Sequence, residues 1–93
     1  MNKKPILSRI WSVARNGKEI FAQMPLVEIA GQNRALIENH LGVLAYSPEE
    51  IEVKVNYGKL TIAGTNLRFS QISRDQLVIH GHIEAVRLQR RQP

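Results

Sequence analysis

The hydrophobic period changes at Pro25, and that change constrains the fold more than any other feature of the chain. Before it, apolar residues recur with a helical period. Ile6, Leu7, Ile10, Trp11, Val13, Ala14, Ile20, Phe21 and Met24 share one half of a helical wheel, while Lys4, Ser8, Arg9, Ser12 and Arg15 lie opposite. Pro5 near the start and Pro25 at the end bound an amphipathic helix, with Asn16-Gly17 a weak point where it can bend or divide. After Pro25 the period is two. Runs rich in β-branched residues predict strands at Leu26–Ala30, Arg34–Glu38, Val43–Tyr46, Ile51–Val55, Leu60–Ala63, Leu67–Ile72, Leu77–His80 and Ile83–Leu88.

Turn residues separate these runs, among them Gly31-Gln32-Asn33, Asn39-His40-Leu41-Gly42, Asn56-Tyr57-Gly58-Lys59 and Gly64-Thr65-Asn66. Ser47-Pro48-Glu49-Glu50 has the chemistry of a helix start, but Ile51-Glu52-Val53-Lys54-Val55 alternates strictly, so one helical turn is the most it allows. Ile51, Val53 and Val55 share a face, as do Leu60 with Ile62, and Leu67 with Phe69 and, after a shift, Ile72. One apolar face per strand implies antiparallel pairing over a single core. The expected fold is mainly β: a small antiparallel sandwich or open barrel of about eight short strands, with an N-terminal amphipathic helix. The tetrad at Val27–Gly31 recurs at Leu60–Gly64 and Leu77–Gly81, which keeps a short β-solenoid as the alternative. The domains read as a basic helix over 1–24, a β domain over 25–88 and a basic tail over 89–93.

The charge divides unevenly. Of a net +5, the first 18 residues hold five bases (Lys3, Lys4, Arg9, Arg15, Lys18) and no acid. Residues 19–86 hold all eight acids against five bases, and Arg87, Arg90 and Arg91 make the end basic again. Basic ends on a mildly acidic body suit attachment to an anionic surface better than a nucleic-acid-binding face. In 93 residues there is room for one domain, and the absence of Cys removes disulfides, thiolate metal sites and cysteine nucleophiles. No apolar run approaches the roughly 18–20 residues of a membrane span. The start lacks the uninterrupted apolar stretch of a signal peptide, so secreted and membrane-spanning readings are set aside.

Little catalytic chemistry is visible. His80 and His82 flank Gly81 and would share a strand face with Glu84, a minimal metal set with no further ligand nearby. No Gly-rich phosphate loop or nucleophile elbow occurs, and the five aromatics make no stacking platform. An enzyme is not expected, nor a metal or any other cofactor, and nucleic acid is a weak candidate partner. The helix has two readings: its apolar face covers the sheet, or it lies on an anionic membrane or a partner. In the second, Lys3, Lys4, Arg9, Arg15 and Lys18 meet the headgroups while Trp11 and Phe21 insert.

The stretches Pro25-Leu26-Val27-Glu28-Ile29-Ala30-Gly31, Ile37-Glu38-Asn39-His40-Leu41-Gly42, Gly58-Lys59-Leu60-Thr61-Ile62-Ala63-Gly64 and Gly81-His82-Ile83-Glu84-Ala85-Val86 resemble the YabP/YqfC family of sporulation proteins, in its YqfC branch. The resemblance covers about residues 24–88. It implies a non-enzymatic protein made in the mother cell during endospore formation, encoded beside a membrane protein, YqfD, that is a candidate partner. The family carries no established functional residues to transfer. Physical roles can still be assigned: Gly31, Gly42, Gly58, Gly64 and Gly81 permit turns, and Asn39 and His40 fix a turn through backbone bonds. Glu38, Asn39 and His40 together form a candidate recognition loop. Self-association is a further expectation, because an unclosed sheet has free edges.

Overall fold

The structure, a computed structural model, describes residues 24–91. The helix expected over the N-terminal segment lies outside the described residues, with Lys3, Lys4, Arg9, Trp11, Arg15, Lys18 and Phe21 on it. Six strands form one antiparallel sheet: β1 (Leu26–Ala30), β2 (Arg34–Glu38), β3 (Gly42–Ser47), β4 (Glu50–Val55), β5 (Gly58–Ile72) and β6 (Gln76–Arg90). Their order across the sheet is β1-β2-β6-β5-β4-β3, leaving β1 and β3 as edges. Strands β3 to β6 form a meander, and the β1–β2 hairpin adds to the outer side of β6.

The first four expected strands appear with bounds within a residue of those read from the sequence. The other four merge into two. The runs at Leu60–Ala63 and Leu67–Ile72 are one strand, as are Leu77–His80 and Ile83–Leu88, so about eight short strands become six. Every pairing is antiparallel, which removes the solenoid alternative, whose coils stack in parallel.

Long strands in so small a domain must bend. Fifteen residues of straight strand would run about 50 Å, longer than the roughly 34 Å diameter of a compact sphere with the ~13 Å radius of gyration of a 100-residue domain. Register shifts at Ala63/Gly64, Thr65/Arg68 and Phe69/Gln71 bend the β5–β6 pair. One half, Gly58–Ala63 against Ala85–Arg90, pairs with β4; the other, where β6 runs from Gln76 to His80, pairs with β2. The sheet therefore curls over a core shared by strands that are not neighbours. Ala35 and Ile37 of β2, Ile51, Val53 and Val55 of β4, and Leu60, Ile62, Leu67, Leu77 and Ile79 belong to one buried cluster.

Two hairpin turns secure the bends. The β3–β4 turn supplies Glu49 O to Gly64 N–H (3.0 Å) and Pro48 O to Leu67 N–H (2.8 Å). The β1–β2 turn supplies Asn33 O to Gly81 N–H (3.2 Å) and Gln32 O to Ile83 N–H (2.7 Å). Amides that the interrupted ladder would leave unpaired are thus satisfied. Gly31 lies in the β1–β2 turn, and Gly42 and Gly58 open β3 and β5, but Gly64 and Gly81 lie inside strands. They serve close approach instead of chain reversal. A Cβ at Gly64 would sit 1.9 Å from His82 O; one at Gly81, where φ is +139°, would sit 2.6 Å from Asn66 O.

Ser47-Pro48-Glu49-Glu50 makes a tight turn with no helix. Ser47 Oγ accepts from the N–H groups of Glu49 (3.3 Å) and Glu50 (3.0 Å), so a helix-capping hydroxyl caps a hairpin. Ile72, expected on the apolar face, is exposed, because it follows the last register shift and ends its strand.

Candidate functional site

Two places collect the candidate chemistry, and they differ in character. The first is the Glu38–His40 loop after β2. Asn39 adopts a left-handed conformation, φ +64°, which Asn tolerates better than most residues. Its Nδ2 donates to Met24 O (2.8 Å), and its backbone N–H donates to Asp75 O (2.8 Å). His40 bridges further. Its Nδ1 accepts from Gly42 N–H at 3.0 Å, so the ring proton belongs on Nε2, which faces Ser73 O at 2.8 Å. Glu38 Oε2 accepts from Gln76 Nε2 (3.2 Å). The loop therefore ties the start of β1, the end of β2, the start of β3 and the β5–β6 turn together. A cavity of about 280 Å³ opens among Glu38, Asn39, Asp75 and Gln76.

The second place is a groove of about 700 Å³ at the Lys54–Val55 end of β4. Leu41 and Leu44 line one side and Val55 contributes from β4. The two leucines are 61 % and 53 % exposed, although both are large and apolar. Lys54, Arg90 and Arg91 complete the wall, and Lys59 lies beside them. This assembly follows from register: Gly58 pairs with Arg90, which returns the basic end of the chain beside the β4–β5 turn. Arg91 N–H donates to Tyr57 O (2.8 Å) and its guanidinium donates to Asn56 O (3.1 Å), fixing the last described residue in place. Lys59 pairs with Glu52 at 3.3 Å. Burial pushes the Tyr57 phenol above its ordinary value, against the opposing pull of the Arg90 charge.

The groove is absent from a linear reading. Arg90 and Arg91 read there as part of a basic tail suited to an anionic surface, and Lys54 as the polar side of an alternating strand. The available signal was the cation pair Lys54 and Lys59 flanking a turn; its convergence with the C-terminal arginines needs the strand pairing.

Other candidates stay apart. His80 is half-buried and lies across from Arg34 and Arg68, while His82 lies across from Thr65. Among the described residues no group of three or more His, Cys, Asp or Glu side chains is placed to hold a metal ion. Arg87 is not in the groove; it pairs with Glu50 at 3.2 Å on an exposed surface.

A family model for the YabP family matches residues 23–93, covering the whole sheet and both candidate places. The chain belongs to the YabP family. A relative within reach of sequence comparison is the Bacillus subtilis (strain 168) protein YqfC, itself described as uncharacterized, 28 % identical over 69 residues that make up 74 % of each chain. No solved structure matches the chain. The YabP-family match begins at residue 23, so it concerns the β body and leaves the basic N-terminal segment outside.

Proposed function

We propose that this YabP-family chain is a non-enzymatic sporulation protein that acts in the mother cell during endospore formation, at a membrane surface and through protein–protein contact. Membership of the family is consistent with a sporulation-related role. The observation that carries the contact reading is apolar exposure on an edge strand: Val43, Leu44 and Tyr46 of β3 all stand exposed, and Leu44 lines the groove. A strand edge with exposed apolar side chains is a surface to be covered by another chain. The Tyr46 hydroxyl donates to Leu67 O (2.8 Å) and its ring lies 5.6 Å from that of Phe69, so the strand is anchored to the body behind it.

The membrane part rests on sequence. Five bases without an acid in the first 18 residues, with Trp11 among them and Phe21 after them, suit an anionic lipid surface, each base there contributing about 1 kcal/mol. The partner would be a membrane protein of the YqfD kind. Two experiments test the reading. A fluorescent fusion in sporulating cells is expected to follow the membrane around the forespore. The purified full chain is expected to sediment with vesicles containing phosphatidylglycerol and not with phosphatidylcholine alone. Salt-sensitive DNA binding without vesicle binding would overturn it in favour of a nucleic-acid module using Arg87, Arg90 and Arg91.

A further inference from the structure

Within the groove, apolar surface and positive charge occur together. Leu41 and Leu44 offer the apolar surface above buried Val55, and Lys54, Arg90 and Arg91 ring it. Among the described residues no acidic side chain lines it. The side chains of Lys54 and Arg90 have no hydrogen-bond or ion-pair partner among the described residues, unlike those of Lys59 and Arg91. We propose that this groove binds an extended acidic peptide segment of a partner protein, with carboxylates on Lys54 and Arg90 and an apolar side chain between Leu41 and Leu44. The inference deepens the protein-contact reading above and rests on it.

Charge complementarity selects this occupant over the others. The chain's own N-terminal segment has the wrong sign, with five bases and no acid in 18 residues. A second copy is cationic as a whole, with 13 bases against eight acids, and two of those acids are engaged: Glu50 holds Arg87, and Glu52 holds Lys59. The bulge between Val43 and Ala45 also blunts the edge of β3 against a long, flat pairing with another copy. A short peptide tolerates that irregularity, since it needs only a few backbone bonds beside one or two anchoring side chains. Among the described residues the groove has no aromatic in its wall on which a base could stack. Its volume lies within the range of about 300–1,000 Å³ usual for small binding sites.

The test uses the full-length chain and fluorescence anisotropy with a labelled heptapeptide of five glutamates around two leucines. Saturable binding is expected, lost as salt rises, with no binding of the matching lysine–leucine peptide. Replacing the leucines by serine is expected to weaken binding, which separates a groove from a diffuse charge effect. Lys54→Glu with Arg90→Glu is expected to weaken it roughly tenfold or more. Both residues are exposed, so these variants keep their circular dichroism spectrum; Leu44→Ser supplies an uncharged variant with the same expectation. Equal binding by the double variant, or binding indifferent to leucine, would overturn the proposal. So would groove-dependent binding of phosphatidylglycerol vesicles without peptide binding, or concentration-dependent dimerisation abolished by the same variants. None of these results touches the forespore localisation of the fusion, so the broader reading stands or falls separately.

Discussion

Replacing His40 by alanine removes two hydrogen bonds that join three segments of the chain: Nδ1 with Gly42 N–H at 3.0 Å and Nε2–H with Ser73 O at 2.8 Å. A hydrogen bond contributes about 0.5–1.5 kcal/mol net. The Ser73 bond is exposed and the Gly42 bond partly buried, so the pair sits in the lower part of that range, and His40→Ala is expected to cost about 1–2 kcal/mol. For a domain of this size that lowers Tm by about 4–16 °C. His40→Asn retains an acceptor near Nδ1 for Gly42 N–H but is too short to reach Ser73, and should lose about half as much. Urea unfolding of the full chain, followed by circular dichroism, measures both. The order alanine, asparagine, wild type in rising stability is expected, with unchanged m-values. An alanine variant as stable as wild type would refute the reasoning, and would return Glu38, Asn39 and His40 to the role of a loop free to recognise a partner.

Gly81→Ala forces a Cβ to within 2.6 Å of Asn66 O at a φ of +139°, so a loss of about 3 kcal/mol or more, or failure to fold, is expected by thermal melting. Tyr57 has its phenol pKa raised by burial, so the folded state holds that proton more tightly than the unfolded chain does. Its contribution is therefore complete below about pH 10 and is lost as pH rises through the folded value; Tyr57→Phe should flatten this alkaline loss in pH-dependent denaturation. Arg87→Ala removes an exposed ion pair with Glu50 and should change stability by less than about 1 kcal/mol in the same denaturation.

Local pattern and long-range pairing divided what the sequence could disclose. β1 and β2 are legible to the residue because Gly31-Gln32-Asn33 reverses the chain between two alternating runs. β4 is legible because Ile51, Val53 and Val55 all reach the core. The readings separate at Gly64 and Gly81, where glycine marks a close backbone approach inside a bent strand and a turn would look the same in sequence. Asn39 and His40 were readable as backbone-bonding residues, but Ser73 lies 33 positions away and no local rule names it. The groove was hidden for the same reason. Lys54 and Arg90 become neighbours only through the β5–β6 register, and a charge count along the chain assigns them to different regions.

Heteronuclear NMR shift mapping of the full chain, titrated with the glutamate–leucine heptapeptide, compares the two candidate places in one measurement. If the Glu38–His40 loop is a clasp and the groove makes contacts, the shifting amides are Leu41, Leu44, Lys54, Val55, Arg90 and Arg91. Shifts centred on Glu38, Asn39, Asp75 and Gln76, with the groove silent, would contradict that division of roles.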